Sequence, residues 1–383
     1  MNPKAEFDII VYGATGYTGR LVAEHLAARY GVSGEVKWAM AGRSAAKLSE
    51  VRDEIGAPKG TPLIVADASD AASVAAMVER AKAIITTVGP YQLYGSDLVA
   101  ACAAAGTDYL DLSGEPNWMR RMIDAHHAAA QASGARILHS CGFDSIPFEL
   151  GVYFCQETAK AKLGGPVPRV KGRVRAVQGG LSGGTAASGK ATMESLQKDP
   201  SQFAVMMSPF GLTPGFEGPA QPPGNAAMED PDAGPVAPFM MAVINTKNVH
   251  RSNLLMGHPY GQDFVYDEMA MSGPDGPVAF ADMNSLPGGG PKPGEGPTQQ
   301  EREDGFYDLL FIGLAADGRQ VRVSVKGDMD PGYGSTAKML AEAAICLIRA
   351  PDVAGGVWTP GAALQGRLIA RLQAHAGLSF EVE

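Results

Sequence analysis

The segment that most constrains this chain is its first strand–turn–helix pattern. Phe7, Asp8, Ile9, Ile10, Val11 and Tyr12 read as an apolar strand; the run GATGYTG follows at 13–19; a helical pattern then begins with Leu21, Val22, Ala23 and Leu26. Glycines spaced by three allow a tight turn and bring backbone N–H groups at a helix N-terminus to a pyrophosphate. Gly13, Ala14, Thr15, Gly16, Tyr17, Thr18 and Gly19 are therefore the candidate phosphate loop of a dinucleotide site. The spacing is G-x-x-G-x-x-G rather than G-x-G-x-x-G, so the flanking strand and helix carry as much of the argument as the glycines. The bland alternative is a βα turn that holds no ligand.

Alternation continues through the first 150 residues. Strands are expected at 36–42, 63–66, 83–88, 109–112 and 136–140, and helices at 44–55 (capped by Ser44), 69–81, 96–105 and 116–133 (opened by Pro116). Repeated βα units predict an α/β Rossmann fold with a doubly wound parallel sheet. Beyond residue 151 strands follow strands, at 169–178, 238–249, 263–271, 305–314 and 320–326, the last two turning at Asp317 and Gly318. The pattern predicts a second, α+β domain of mostly antiparallel sheet, inserted before C-terminal helices at 335–349 and 360–376. The expected division is 1–147 for dinucleotide binding, 148–333 for substrate and dimerisation, and 334–383 returning to the first domain. Two Pro/Gly-rich stretches, 209–238 and 285–297, carry no assignment. The apolar run FAVMMSPF at 203–210 reads equally as a lid or as a buried helix end.

Composition narrows the function. At 383 residues, 45% hydrophobic and 19% charged, the chain suits a soluble two-domain protein, and its net charge of −9 argues against nucleic acid. No apolar run reaches the roughly 18 residues of a membrane span, and no signal peptide is expected from the N-terminal residues. Cys102, Cys141, Cys155 and Cys346 form no C-x-x-C pair, so they read as reduced thiols of a cytoplasmic protein. No metal site is expected; His126 and His127 are adjacent on a helix and diverge.

The end of the second strand selects the nicotinamide cofactor. An NAD site places a carboxylate there for the ribose 2′-hydroxyl. This strand ends Gly42, Arg43, Ser44, with Lys47 a turn later. Arg43 offers a planar fork to a 2′-phosphate, Ser44 a hydroxyl and Lys47 a charge, so NADP(H) is favoured. Asp67, after the third strand, reads either as an adenine neighbour or as the cap of the next helix. Val88, Gly89 and Pro90 follow the fourth strand and are expected to flank the nicotinamide ribose.

With these residues in view, the chain resembles the saccharopine dehydrogenase-like oxidoreductases, and within them the bacterial trans-acting enoyl reductases. The marks are GATGYTG (13–19), AGRS (41–44), VGPYQLYG (88–95), YLDLSGEP (109–116), SCGFDSIPFELG (140–151), LSGGTAASG (181–189), NVHRSNLL (248–255) and DPGYGSTAKMLAEAA (330–344). The resemblance implies an NADP-type Rossmann domain, an inserted α+β domain and C-terminal helices that return to the first. Its enoyl-reductase members act on polyketide or fatty-acyl intermediates carried by a synthase, which implies a carrier-bound acyl substrate and a synthase partner. A homodimer is also expected. G-F-D-S-I-P stands here where a saccharopine reductase would carry a G-x-D-P-G-type turn.

The second motif supplies candidate chemistry. Cys141, Gly142 and Phe143 leave the sixth strand toward the same crevice as further candidate cofactor contacts, with Asp144 and Ser145 beside them. Enoyl reduction needs a proton at the α-carbon and donors for the developing enolate. Tyr91 is the first candidate, Tyr94 the second; Asp144 qualifies if burial raises its pKa, and otherwise caps a helix or holds the nicotinamide amide. The turn at 182–188 either binds a substrate carbonyl or phosphopantetheine or is a simple capped turn, and Lys190 reads as a surface residue. Asp108, Asp111 and Glu115 read as a strand end and a helix cap. Few cations fall near the second domain's motifs, which favours a lipid-like substrate. Arg173, Arg175 and Arg251 are the exceptions and keep an amino-acid dehydrogenase open, and a non-enzymatic NADPH sensor is the third reading.

Overall fold

A computed structural model describes residues 5–31, 34–180, 183–273, 276–278 and 294–383, with the backbone alone at 183–186 and 201. The first half contains β1 (Phe7–Tyr12), α1 (Tyr17–Tyr30), β2 (Trp38–Gly42), α2 (Ala45–Glu54), β3 (Leu63–Val65), α3 (Ala71–Val78), β4 (Ala81–Thr86), α4 (Tyr91–Tyr94), α5 (Ser96–Ala105), β5 (Asp108–Leu110), α6 (Pro116–Ser133), β6 (Arg136–Leu138) and α7 (Ile146–Leu163). The second contains β7 (Arg169–Gln178), α8 (Gly183–Lys198), α9 (Phe203–Met207), β8 (Met228–Asp230), β9 (Gly234–Pro238), α10 (Ala242–Leu255), β10 (Val265–Gly273), β11 (Gly276–Pro277), α11 (Gln299–Glu303), β12 (Phe306–Leu314), β13 (Gln320–Gly327), α12 (Thr336–Ile348), β14 (Gly356–Trp358), α13 (Pro360–His375) and β15 (Leu378–Val382).

The first sheet runs β14-β6-β5-β4-β1-β2-β3, all parallel. Both its faces are covered. Ile9 and Val11 pack into one core, Ile10 and Tyr12 into the other, which is why β1 reads as an unbroken apolar run. The strand order reverses direction between β1 and β4, and a ligand crevice opens there at the carboxyl ends of the strands. The second sheet runs β15-β13-β12-β7-β10-β9-β8, with β11 on β10. It is antiparallel except for β7 and β10, which run parallel.

Two expectations change, and one unassigned stretch gains strands. Residues 238–249 do not form a strand; most of that stretch lies in α10. Its Asn245, Lys247, Asn248, His250, Arg251, Ser252 and Asn253 are all buried, so the inward face carries polar side chains and shows no apolar helical period. The 209–238 stretch contains β8 and β9. The C-terminal segment serves both sheets: β14 extends the first and β15 pairs with β13 in the second. Residues 285–293 lie outside the described residues, while the loop from Gly294 to Pro297 runs against Tyr17, whose hydroxyl donates to the Pro297 carbonyl. Among the described residues no helix is long and apolar enough to cross a membrane, and no group of three or more His, Cys, Asp or Glu side chains could hold a metal ion.

Candidate cofactor and active site

Two positions of the phosphate loop, Gly13 and Gly19, admit only glycine. Gly13 has φ +90°, and a Cβ there would lie 2.7 Å from Thr87 Oγ1. A Cβ on Gly19 would meet the Gly13 carbonyl oxygen at 2.2 Å, so α1 presses directly on the loop backbone. Gly16 is the N-cap of α1, with its N–H on the Gly13 carbonyl at 2.9 Å and no side-chain cap. The first-turn N–H groups of α1 are thus left for a ligand's phosphates. Thr87, which sequence reasoning passed over, locks the loop after β1 to the loop after β4: its hydroxyl reaches the Tyr12 and Gly13 carbonyls at 3.4 and 3.3 Å.

At the end of β2, Ser44 caps α2 by accepting the Lys47 N–H at 3.3 Å. Gly42 lies against Thr15 of the phosphate loop. Arg43 is exposed and forms no ion pair among the described residues, although its charge is felt at Tyr12 and Asp67. Asp67 is taken up locally. It accepts the Ser69 N–H and hydroxyl at 2.9 and 2.8 Å, and these bonds hold its carboxyl below the usual range. Asp70, not Asp67, caps α3. A helix-start glycine cradle, an unpaired guanidinium after β2 and no carboxylate on that strand end together fit a dinucleotide with a 2′-phosphate.

The nicotinamide side departs from expectation. Val88 is tied back to Thr86 Oγ1 through its N–H at 3.3 Å, and Gly89 and Pro90 lead into α4. Tyr91 does not face the crevice as a free phenol. It is buried and stacked on Trp118, and its hydroxyl donates to the Thr86 carbonyl at 3.2 Å and accepts the Leu112 N–H at 3.1 Å. Burial raises its pKa well above the ordinary value. Its role is to tie the end of β4 to the loop after β5. Tyr94 is half exposed at the outer end of α4.

Two buried carboxylates organise the walls. Glu115 accepts the N–H groups of Tyr91 and Gln92 at 3.0 and 2.9 Å and so anchors the start of α4. Asp111 accepts Tyr109 Oη at 2.9 Å, bonds His139 Nδ1 at 2.7 Å, and takes the Ser113 and Ser140 N–H groups at 3.0 Å each. It thereby binds the loop after β5 to the loop after β6. Asp108 pairs with Arg136 deeper in the sheet. All three acids were visible in the sequence; the strands and loops they join were not, because those depend on strand neighbours.

Cys141 is fully buried, its thiol directed at the Leu138 carbonyl and pushed up in pKa by burial, so it offers no reactive thiolate. Gly142 is wedged between Leu112 and Thr336: a Cβ would meet them at 2.8 and 2.9 Å. Phe143 packs edge-on to Phe148 and Tyr307. Asp144 differs from its neighbours. Its carboxyl is half-buried beside Gly114, accepts no hydrogen bond among the described residues, and is pushed up to about 6 by desolvation alone. It does not cap α7, whose N-cap is Ser145 with no side-chain bond.

Residues 183–188, expected as a turn, belong to the start of α8 and come to the same place. Ser188 lies beside Gly89, and Gln92 Nε2 donates to Thr192 Oγ1 at 3.1 Å, so α8 covers the loop after β4. Ser182 lies outside the described residues. Lys190 is on the surface, 3.9 Å from Glu194. The three arginines are all engaged. Arg173 pairs with Asp230 and Asp267, Arg175 with Asp308 and Glu383, and Arg251 donates to the Leu212 and Val357 carbonyls at 2.7 Å.

Comparison with known proteins agrees with this geometry. Residues 9–138 match the family described as saccharopine dehydrogenase NADP binding domain. The chain is 38% identical to a putative trans-acting enoyl reductase of Mycobacterium tuberculosis, an alignment covering 98% of this chain and 97% of that one. It is 35% identical to the trans-acting enoyl reductase of Mycobacterium leprae, over 97% of each. The apo saccharopine dehydrogenase (L-Glu forming) from Saccharomyces cerevisiae shares its fold with a TM-score of 0.53, covering 98% of this chain and 100% of that chain at 10% identity; at that identity the likeness speaks for fold alone.

Proposed function

The chain belongs to the trans-acting enoyl reductases, built on a saccharopine dehydrogenase-type NADP-binding domain, and from that premise we propose that it uses NADPH to reduce the activated C=C bond of an acyl thioester delivered by a separate synthase. Bound NADPH supplies the hydride, which goes to the β-carbon. The protein must orient the thioester, keep water out and give the α-carbon its proton. Thr87, Asp111 and Glu115 fix the loops that frame the crevice. Asp144 is the proton donor in this reading: it is the half-buried carboxyl of the second motif, raised toward neutrality and free of hydrogen-bond partners among the described residues.

The observation that carries the choice of substrate is the fate of the arginines. Recognition of an amino-acid substrate bearing several carboxylates calls for unpaired cations. Arg173, Arg175 and Arg251 are each bound to carboxylates or carbonyls within the fold. That leaves the saccharopine-type alternative without the residues that kept it open. A cytoplasmic setting fits the four buried, unpaired cysteines.

The test is NADPH consumption by purified protein with a short 2-enoyl thioester or an imino acid as separate acceptors, and NADP⁺ reduction with saccharopine as hydride donor. A saturated thioester product supports the reading. Turnover of the imino acid alone moves the chain to the dehydrogenases, and tight NADPH binding with no acceptor consumed favours a sensor.

A further inference from the structure

Among the described residues, five of the eleven large exposed apolar side chains lie on three helices joined beside the crevice. Leu93 and Tyr94 on α4, Met193 on α8, and Phe203 and Met207 on α9 are each at least half exposed. The helix α9, FAVMM, buries none of its residues, although every one is apolar. Large exposed apolar surface on a soluble chain marks a binding surface.

Hydrogen bonds make these elements one belt. Gln92 Nε2 to Thr192 Oγ1 at 3.1 Å ties α4 to α8. Asn117 Nδ2 reaches Ser195 Oγ at 3.4 Å and Gln202 Oε1 at 2.8 Å, and Ser195 Oγ meets Gln202 Oε1 at 3.1 Å, which joins α8 to the start of α9. The belt is continuous with the site already described: α4 begins directly after Gly89 and Pro90, and Ser188 of α8 lies beside Gly89.

We propose that this belt is the subsite for the acyl chain of the thioester substrate, with Leu93, Met193 and Phe203 lining its path away from the nicotinamide. The inference rests on the enoyl-thioester reading and adds where the chain runs. An alkyl tail attached to a carbon in the crevice meets α4 and α8 as it leaves, and these present methyl, thioether and aromatic groups. The nearest charges on α8, Lys190 and Glu194, face each other. The belt therefore offers apolar contact beside the crevice, with Lys198 at the far, C-terminal end of α8.

Saturated acyl-N-acetylcysteamine thioesters with four, eight and twelve acyl carbons, titrated calorimetrically into the NADP⁺-loaded protein, read the subsite without turnover. Contact along one exposed apolar face covers about half of each methylene, so affinity should rise about twofold for each one added. The combined Leu93→Ser, Met193→Ser, Phe203→Ser protein changes exposed residues only. It should keep its NADPH affinity and its affinity for the four-carbon thioester while losing the dependence on length. A flat series in the unmodified protein, or an unchanged slope in the triple variant, overturns the proposal. So does a variant that keeps the slope but loses self-association in sedimentation, or one that keeps it but loses turnover of carrier-bound substrate alone; the belt would then be a contact between copies or a synthase-docking face. Failure of short enoyl thioesters to consume NADPH counts against the enoyl-reductase reading and leaves the binding series to judge the subsite.

Discussion

Thr336 Oγ1 accepts the backbone N–H of Phe143 at 2.9 Å, and its own hydroxyl donates to the Pro331 carbonyl at 2.7 Å. The first residue of α12 thus holds the segment that presents Asp144, with Gly142 close-packed against the same threonine. Thr336→Val keeps the shape and removes the acceptor. The stranded, buried N–H should cost about 1–3 kcal/mol in denaturant unfolding. Turnover should fall while NADPH affinity holds, since the contact supports the Asp144 loop and not the phosphate loop. Equal unfolding midpoints for the two proteins would remove Thr336 from this role.

Arg43→Ala tests the cofactor choice. Loss of a charge-assisted phosphate contact, on the order of 1.5–3 kcal/mol, should weaken NADPH by roughly 10–100-fold. NADH, which lacks the 2′-phosphate, should bind almost as before. Fluorescence titration of both nucleotides reads the difference; a parallel loss for NADH would place Arg43 elsewhere.

Gly19→Ala makes the complementary prediction. Its new methyl would sit 2.2 Å from the Gly13 carbonyl oxygen, which is backbone and has little room to retreat. The loop and α1 must separate, at a cost of about 1–3 kcal/mol in stability. NADPH and NADH should both weaken by more than about tenfold, because the N–H cradle serves the pyrophosphate they share. Selective loss of NADPH alone would contradict this placement.

Tyr91→Phe separates a strut from an acid. The phenol's two bonds, to Thr86 and Leu112, are internal. Removing it should cost about 1–2 kcal/mol of stability and change kcat by less than about threefold. A loss of kcat beyond about 100-fold with stability intact would return the proton-donor role to Tyr91.

What was legible in the sequence follows from locality. The glycine loop, the Ser44 cap and the β12–β13 hairpin are set by residues close together in the chain, and they stand where the pattern put them. Sequence alone did not reveal the local bonds of Asp67 and Tyr91, because a side chain near a ligand-binding edge can equally be engaged by its own turn or by the next strand's loop. Glu115, Asp111 and Thr336 were missed as organisers because each acts across strands or across 193 residues of chain, in the case of Thr336 and Phe143. The helix α10 was misread because its buried face is polar, which erases the period that betrays a helix.

Asp144→Asn is the most direct test of the chemistry. Desolvation raises the Asp144 carboxyl from 3.8 to about 6. As an acid it works only when protonated, so kcat should fall as pH rises through about 6, approaching tenfold per unit beyond it. Asparagine cannot give the proton; kcat should drop by about 100-fold or more, and the remaining rate should lose that limb. Stability carries a second, opposite signature. Because the folded-state value lies above the unfolded one, the contribution of Asp144 is fully present below pH 3.8 and is lost as pH rises through about 6, where an ionised carboxylate is left in a desolvated site. The asparagine variant has no such loss. It should match the parent protein near pH 4 and exceed it near pH 8, by on the order of 1 kcal/mol for a half-buried group. A variant that keeps the pH limb and is equally stable at both pH values would mean that Asp144 is solvated and is not the donor.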